Sequence, residues 1–387
     1  MDSTSDLSSP LISLSNPLSC PFQQLRQGTV FPGLPGGPKA TLQAQKTDFG
    51  EIHEPLTSLQ DIELTRDLTN LDLERKCKLD PKDHAVQPKP IHLVETSRFF
   101  AVIVGIDRYP SCPLRGCVSD ARLMEKYLTE HLRVPKNRIQ LLLGYTEDVA
   151  LDDTMKPSRA NIINALLSLA TNDEIKKGDN IIIYFAGYGS YYPPSEDDDT
   201  YGFIETLCPI DRDIMDDNGR PIPDISDREF NVILSRIAEA KGQRITVILD
   251  CCHAGGASRT MREPGSRSAP KGASALHEML LAGESYLKDH PGYRSILEEE
   301  WNPDMESHVL LAACKDYQFA KEKAKREDGR VVGYIGVFTE ALVHVLQSGN
   351  CVEKTTYVDI IRAAGALRYQ TPVVFGTRKN ARIWFQG

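Results

Sequence analysis

The chain has 387 residues, enough for one large domain with appendages or for two domains. Its 54 acidic and 45 basic side chains leave a net charge of -9, the wrong sign for a general binder of nucleic acid or anionic membrane. Hydrophobic content of 41% and 26% charged residues are ordinary globular values, and no run approaches the roughly 18 apolar residues of a membrane span.

Nine cysteines, an odd number without paired zinc spacing, predict free thiols in a reducing compartment. The opening residues, MDSTSDLSSPLISLSNPLSC, lack the basic start and continuous apolar core of a secretory signal. A cytoplasmic protein is expected. Residues 1 to about 50 are rich in Ser, Pro, Gly and Gln without apolar period, and are expected to be disordered. Residues 51–97 carry only sparse leucines (Leu56, Leu59, Leu64, Leu68, Leu71) and read as a tether, so 1–97 forms a largely disordered extension.

Regular pattern begins at Phe99. FFAVIVGID, Phe99 to Asp107, is an apolar strand of the central parallel type. Helical spacing follows over Asp120–Leu132, then a strand over Ile139–Leu143. Ser158 is an N-cap for a helix over Arg159–Thr171. A third strand, Asn180–Ala186, stops at Gly187, Tyr188 and Gly189 and gives way to a polar acidic loop. A helix over Asp227–Ala240 leads into ITVILDCCHAGG, a buried strand that ends in Asp250, Cys251, Cys252 and His253 before opening into glycines. Residues 257–306 show no regular pattern and read as a flexible linker. His308–Ala313 resumes as a strand, Val337–Val345 and Tyr357–Leu367 as helices, and Arg382–Phe385 as a last strand. Such alternation predicts an α/β fold, a mainly parallel sheet with helices on both faces.

Ligands of open α/β sheets sit beyond the carboxyl ends of the strands, which draws attention to residues 250–253. Period-two alternation puts Asp250 and Cys252 on one face and Cys251 and His253 on the other. The plain alternative is that these small residues cap a core strand, free Cys being among the most buried types.

FFAVIVGIDRY followed by LRGCVSDA, then NIIIYFAGYG and ITVILDCCHAGG, resemble in order and spacing the caspase fold in its metacaspase branch. HVLLAAC, GVFTEAL and RIWFQG resemble that family's small-subunit segment. The resemblance spans 98–387: a large-subunit part at 98–256, a processing-type linker at 257–306 and a small-subunit part at 307–387. It implies a three-layer fold on a six-stranded or slightly larger sheet, and a cysteine endopeptidase. By resemblance, Cys252 is the nucleophile, and the N–H groups of Cys252 and Gly189 form the oxyanion hole. Asp250, Cys117, Asp120 and Ala186 line a pocket for Arg or Lys before the cut. A thiol attacks a carbonyl, two donors hold the oxyanion, and buried carboxylates select a basic residue.

The departures are equally informative. Tyr188 stands at the family's catalytic His position, Ala186 replaces a pocket Ser, and Ala254 replaces the Ser after His253. A phenol with a pKa of about 10 is a poor base at pH 7. Losing a positioned acid–base costs about 10²–10⁴-fold. His253, on the other face of the strand, is poorly placed to substitute. Glu196–Asp199 with Asp211, Asp213, Asp216, Asp217 and Asp224 suits Ca2+ as well as it suits a solvated acidic loop. Two readings stay open: a pseudo-peptidase that binds basic segments or pairs with an active caspase-like relative, and an Arg/Lys-directed endopeptidase, self-processing and calcium-stimulated. Arg259, Arg262, Arg267 and Lys271 are the candidate cut sites in the linker. An unrelated ligand-binding α/β domain is disfavoured because no glycine-rich phosphate fingerprint follows the first strand.

Overall fold

The structure, a computed structural model, describes residues 98–110, 112–145, 153–193, 203–252, 265–289, 293–299, 301–315, 318–348 and 354–385. The expectations for 1–97, Glu196–Asp199, His253, Ala254, Arg259 and Arg262 lie outside these residues.

Six strands form the central sheet: β1 (Phe99–Ile106), β2 (Ile139–Gly144), β3 (Asn180–Ala186), β7 (Ile245–Asp250), β8 (Val309–Ala312) and β11 (Val373–Phe375). Their spatial order is β11-β8-β7-β3-β1-β2, with only β11 antiparallel. β1, β3 and β7 are buried along their whole length, which is why their sequences are continuous apolar runs rather than alternations. The chain leaves β1 for β2 on one side and returns to β3 on the other. That reversal is the point where an open α/β sheet forms a crevice at its carboxyl edge.

Helices α1 (Cys117–Lys126), α2 (Arg159–Thr171), α3 (Asp227–Lys241), α4 (Leu276–Leu287), α5 (Val337–Gln347) and α6 (Tyr357–Ala364) complete the layers. Ser158 caps α2 as expected, accepting the Asn161 N–H at 3.2 Å, and Ser226 caps α3 in the same way. Arg159 of α2 pairs with Glu229 of α3 at 2.6 Å with both side chains buried. Even-numbered residues of β7 face α5 and α6: Thr246 bonds Tyr357, and Asp250 bonds Thr339.

Three sequence expectations change. The stretch after Tyr188 is not only loop: β4 (Gly189–Tyr192) pairs with β5 (Ile204–Leu207), which pairs with β6 (Ile225–Ser226). Linker 257–306 is not without structure. It contains α4, and residues 265–269 are held against the catalytic edge. The apolar side of α4 was missed because Met279, Leu280 and Leu287 are diluted by Gly283 and flanking charges. Finally, Ile383–Phe385 is a 3-10 turn with Trp384 at φ 56°, and the last strand is β11; burial of Trp384 against Phe99 and Tyr127 fixes that end. No helix among the described residues is long and apolar enough to cross a membrane.

His308, just before β8, is 4% exposed and bonded through Nδ1 to Ser307 Oγ at 2.8 Å. Burial pushes its pKa from 6.5 down to about 4, opposed by the charge of Asp304. The unfolded chain therefore binds a proton below pH 6.5 that the folded chain refuses until about pH 4. Stability is expected to fall by about 3 kcal/mol as pH drops through that window. Urea titrations at pH 4.5 and 7 check it: His308→Gln is expected to flatten the slope.

Candidate active site

β7 delivers two side chains to the carboxyl edge. Beyond its paired residues come Cys251 and Cys252, and alternation holds: Cys252 shares the face of Asp250, whereas Cys251 turns towards Cys208 and Glu205. All three are buried. α1 brings Asp120, whose carboxylate accepts the Gly336 N–H at 2.8 Å. Asp107, at the end of β1, anchors α1 by accepting the Cys117 N–H at 2.7 Å and the Val118 N–H at 3.3 Å. A carboxylate at a helix N-terminus meets orphan N–H groups there.

The space between Asp120 and Asp250 is filled by the chain's own Arg267. Its guanidinium contacts Asp120 through Nη2 and Asp250 Oδ2 through Nη1 at 2.9 Å, and all three side chains are 0% exposed. Glu322 lies 4.0 Å from Nη2 and also accepts the Gly116 N–H at 2.9 Å. Asp250 is steadied by Thr339, whose hydroxyl donates to Oδ2 at 2.6 Å and pairs with Tyr184 OH. Burial pushes Asp120 up to about 7 against the pull of the Arg267 cation. Two buried carboxylates this close cannot both ionise without a cation between them, so the pocket demands one. Its fork geometry fits a planar guanidinium better than a compact ammonium.

Arg267 is held by its backbone as well. Its carbonyl accepts the Gly189 N–H at 3.1 Å and the Cys252 N–H at 3.2 Å, the two donors the sequence assigned to an oxyanion hole. Its N–H donates to Ala320 O at 2.9 Å, and Ala269 N–H donates to Gly189 O at 2.8 Å. The linker thus lies as an extended strand between β4 and the segment before β9 (Glu322–Glu327), the mode in which sheet edges bind peptides. Glycine is required at 189, because a Cβ there would lie 2.0 Å from the Cys252 carbonyl oxygen.

The Cys252 sulfur accepts the Ala320 N–H at 3.0 Å and lies 3.8 Å from Ser266 Oγ. Burial pushes this thiol up, but hydrogen bonds with Cys314 and Ser266, and with the backbone of Ala320 and Arg267, outweigh it and leave the thiol below its ordinary value. Tyr188 is 3% exposed, packs against Tyr109 with ring centroids 4.5 Å apart and planes tilted by 46°, and donates its hydroxyl to Cys112 O at 2.9 Å. The phenol proton is thereby committed to a backbone carbonyl.

Every described residue that the resemblance assigned to the peptidase site reaches this edge. Cys117 is buried beside the guanidinium, and Ala186 is paired with Asp250 in the β3–β7 ladder. Of the four basic linker candidates, Arg267 is the one seated. Glu322, Thr339, Tyr184, Ala320 and Gly336 were missed: all reach the site from other elements, and no local pattern marks them. Four of the acidic residues weighed for Ca2+ are engaged elsewhere. Asp224 pairs with Arg212, Asp216 with Arg220, and Asp211 and Asp213 accept the Arg159 and Ala273 N–H groups. Among the described residues no three His, Cys, Asp or Glu side chains converge as a metal site would require.

A strand-end cysteine, two facing N–H donors and an acidic pocket on this sheet define a caspase-like peptidase domain. Residues 100–260 match the family described as metacaspase, peptidase C14 domain. Metacaspase-4 of Arabidopsis thaliana is 30% identical over 242 residues, covering 60% of this chain and 52% of the relative. Metacaspase-1B of Neurospora crassa is 30% identical over 159 residues, covering 41% and 34%. The chain spans about half the length of the first of these curated relatives and a third of the second. Caspase-1 from Spodoptera frugiperda, at 11% identity and a TM-score of 0.41, covers 78% of this chain and 94% of its own. Residues 100–260 are thus similar to a metacaspase peptidase domain.

Gly336 closes the pocket: a Cβ there would lie 2.6 Å from Asp120 Oδ2 and 2.7 Å from Arg267 Nη1. Gly336→Ala is expected to expel Arg267, costing on the order of 1–3 kcal/mol. Trypsin should then cut after Arg267 within minutes in the variant and far more slowly in the parent.

Proposed function

We propose that this is an arginine-directed cysteine peptidase domain of impaired turnover, whose first substrate is its own Arg267–Ser268 bond. The observation that carries the reading is the Arg267 carbonyl held between the Gly189 and Cys252 N–H groups while its side chain fills the acidic pocket. That is the placement of a residue about to be cut.

The Cys252 sulfur attacks the Arg267 carbonyl carbon, and the two N–H groups take the oxyanion that forms. The bond to the Ser268 nitrogen breaks, leaving a thioester on Cys252 and a Ser268 amine that needs a proton; water then releases the Arg267 carboxylate. Attack is supported by the lowered thiol and its backbone donor, since cysteine is the nucleophile least dependent on a base. Protonation of the amine is the weak step, because the phenol at 188 gives its proton to Cys112 O. Self-cleavage is then slow, and repeated turnover slower. Until cleavage, Arg267 shields the site, so basic segments of partners, or a related caspase-like chain, compete with a tethered occupant. Calcium stimulation and a cytoplasmic location remain part of the proposal.

Purified protein is incubated with a fluorogenic peptide ending in Arg, with and without calcium, beside Cys252→Ala and Tyr188→His, while mass spectrometry follows a new terminus at Ser268. The expected result is slow, Cys252-dependent cutting at 267–268 and a gain of about 10²–10⁴-fold on Tyr188→His. Rapid Cys252-dependent turnover by the unmodified protein would reject the impairment. No gain on Tyr188→His would reject the phenol as its cause.

A further inference from the structure

β7 and β8 run parallel, and their register brings a second thiol to the nucleophile. Leu249 pairs with Ala312, the last pair of the ladder, and the Ala313 N–H still donates to Leu249 O at 3.0 Å. Carried two residues further, that register sets 314 beside 251 and one residue from 252. Neighbouring strands lie about 4.8 Å apart and each residue advances about 3.3 Å, so Cα atoms one residue out of register lie about 5.8 Å apart, within the roughly 4.4–6.8 Å that a disulfide bridges.

The side chains meet as well. Cys314 lies near enough to Cys252 for each thiol to shift the other's ionisation. Both are tied to one short stretch of chain: Cys314 Sγ donates to Gln318 O at 3.5 Å, and Ala320 N–H donates to Cys252 Sγ at 3.0 Å. Both are free thiols, Cys252 at 1% exposure and Cys314 at 7%. Cys251, though adjacent in sequence, turns to the other face of the strand towards Cys208.

We propose that Cys252 and Cys314 are a peroxide-reactive pair that closes to a reversible disulfide, with Cys314 as the resolving thiol. Two steps balance the chemistry. The Cys252 thiolate attacks one oxygen of hydrogen peroxide, the O–O bond breaks, hydroxide leaves to be protonated, and a sulfenic acid forms. Cys314 then attacks that sulfur, the S–O bond breaks and water leaves. In sum two thiols and one peroxide give one disulfide and two waters, the thiols supplying both electrons. A dithiol such as dithiothreitol returns both thiols by exchange.

Physical reasons favour this pair. Peroxide reacts with thiolates, and the donors around Cys252 favour that form. A resolving thiol already in contact captures the sulfenic acid before a second peroxide drives it to the irreversible sulfinic acid. The bond would remove the nucleophile by a route that a dithiol reverses. The inference therefore stands or falls apart from whether the domain turns over substrate.

The test treats the full chain with hydrogen peroxide and reads intact mass and a non-reducing peptide map after peptic digestion in acid, where exchange is frozen. The expected result in the unmodified chain is loss of two hydrogens, a crosslinked peptide pairing 252 with 314, and full return on dithiothreitol. Cys314→Ser and Cys314→Ala are expected instead to gain two oxygens on Cys252, a change that dithiothreitol does not reverse, several-fold faster than the unmodified chain does. Sulfinic acid forming on Cys252 equally fast with and without Cys314 would overturn the proposal. So would a map pairing Cys252 with Cys251, or a Cys252 that peroxide leaves untouched. The crosslink is read in the unmodified chain, so a variant that misfolds does not remove the test.

Discussion

The ion cluster of Arg267 with Asp120 and Asp250 is the interaction on which the rest of the site depends. Its three side chains are fully buried and come from the linker, from α1 and from the end of β7. Buried charges are tolerated only when paired and hydrogen-bonded, and each partner here has further support: the Gly336 N–H for Asp120, the Thr339 N–H and hydroxyl for Asp250. A pocket built this way has no comfortable empty state without water or a cation. That single requirement explains why a linker arginine is drawn into it.

The same cluster orders the backbone. Once the guanidinium is seated, the Arg267 carbonyl falls between two N–H groups, and the linker adds itself to the sheet edge through Ala320 and Gly189. Binding, orientation and oxyanion contact are thus established together, which is how peptidases use remote binding energy to position the bond they cut. What the site lacks is an imidazole at 188. The phenol there is a packing residue, tilted against Tyr109 and bonded to a carbonyl. The edge therefore joins a buried acidic pocket filled by an arginine to a phenol where the resemblance would place an imidazole.

The sequence by itself determined the sheet and the residues at its edge. Continuous apolar runs can only be strands buried on both faces, and alternation along ITVILDCC placed Asp250 and Cys252 together without any coordinates. Local order also fixed Ser158 as a cap. These are consequences of period and of neighbouring residues, and both are written in the chain. Residues 117–120 were marked as a pocket wall only by the family resemblance. Tertiary structure alone decided which of four basic linker residues occupies the pocket, that residues 276–287 fold as a helix, and that the final strand is 373–375 rather than 382–385. It also brought Glu322, Thr339 and Cys314 to the site from far along the chain. Such contacts are set by how layers pack and how strands register, and sequence separation carries no trace of them. That is why the cysteine at the strand end could be read in advance and its distant neighbours could not.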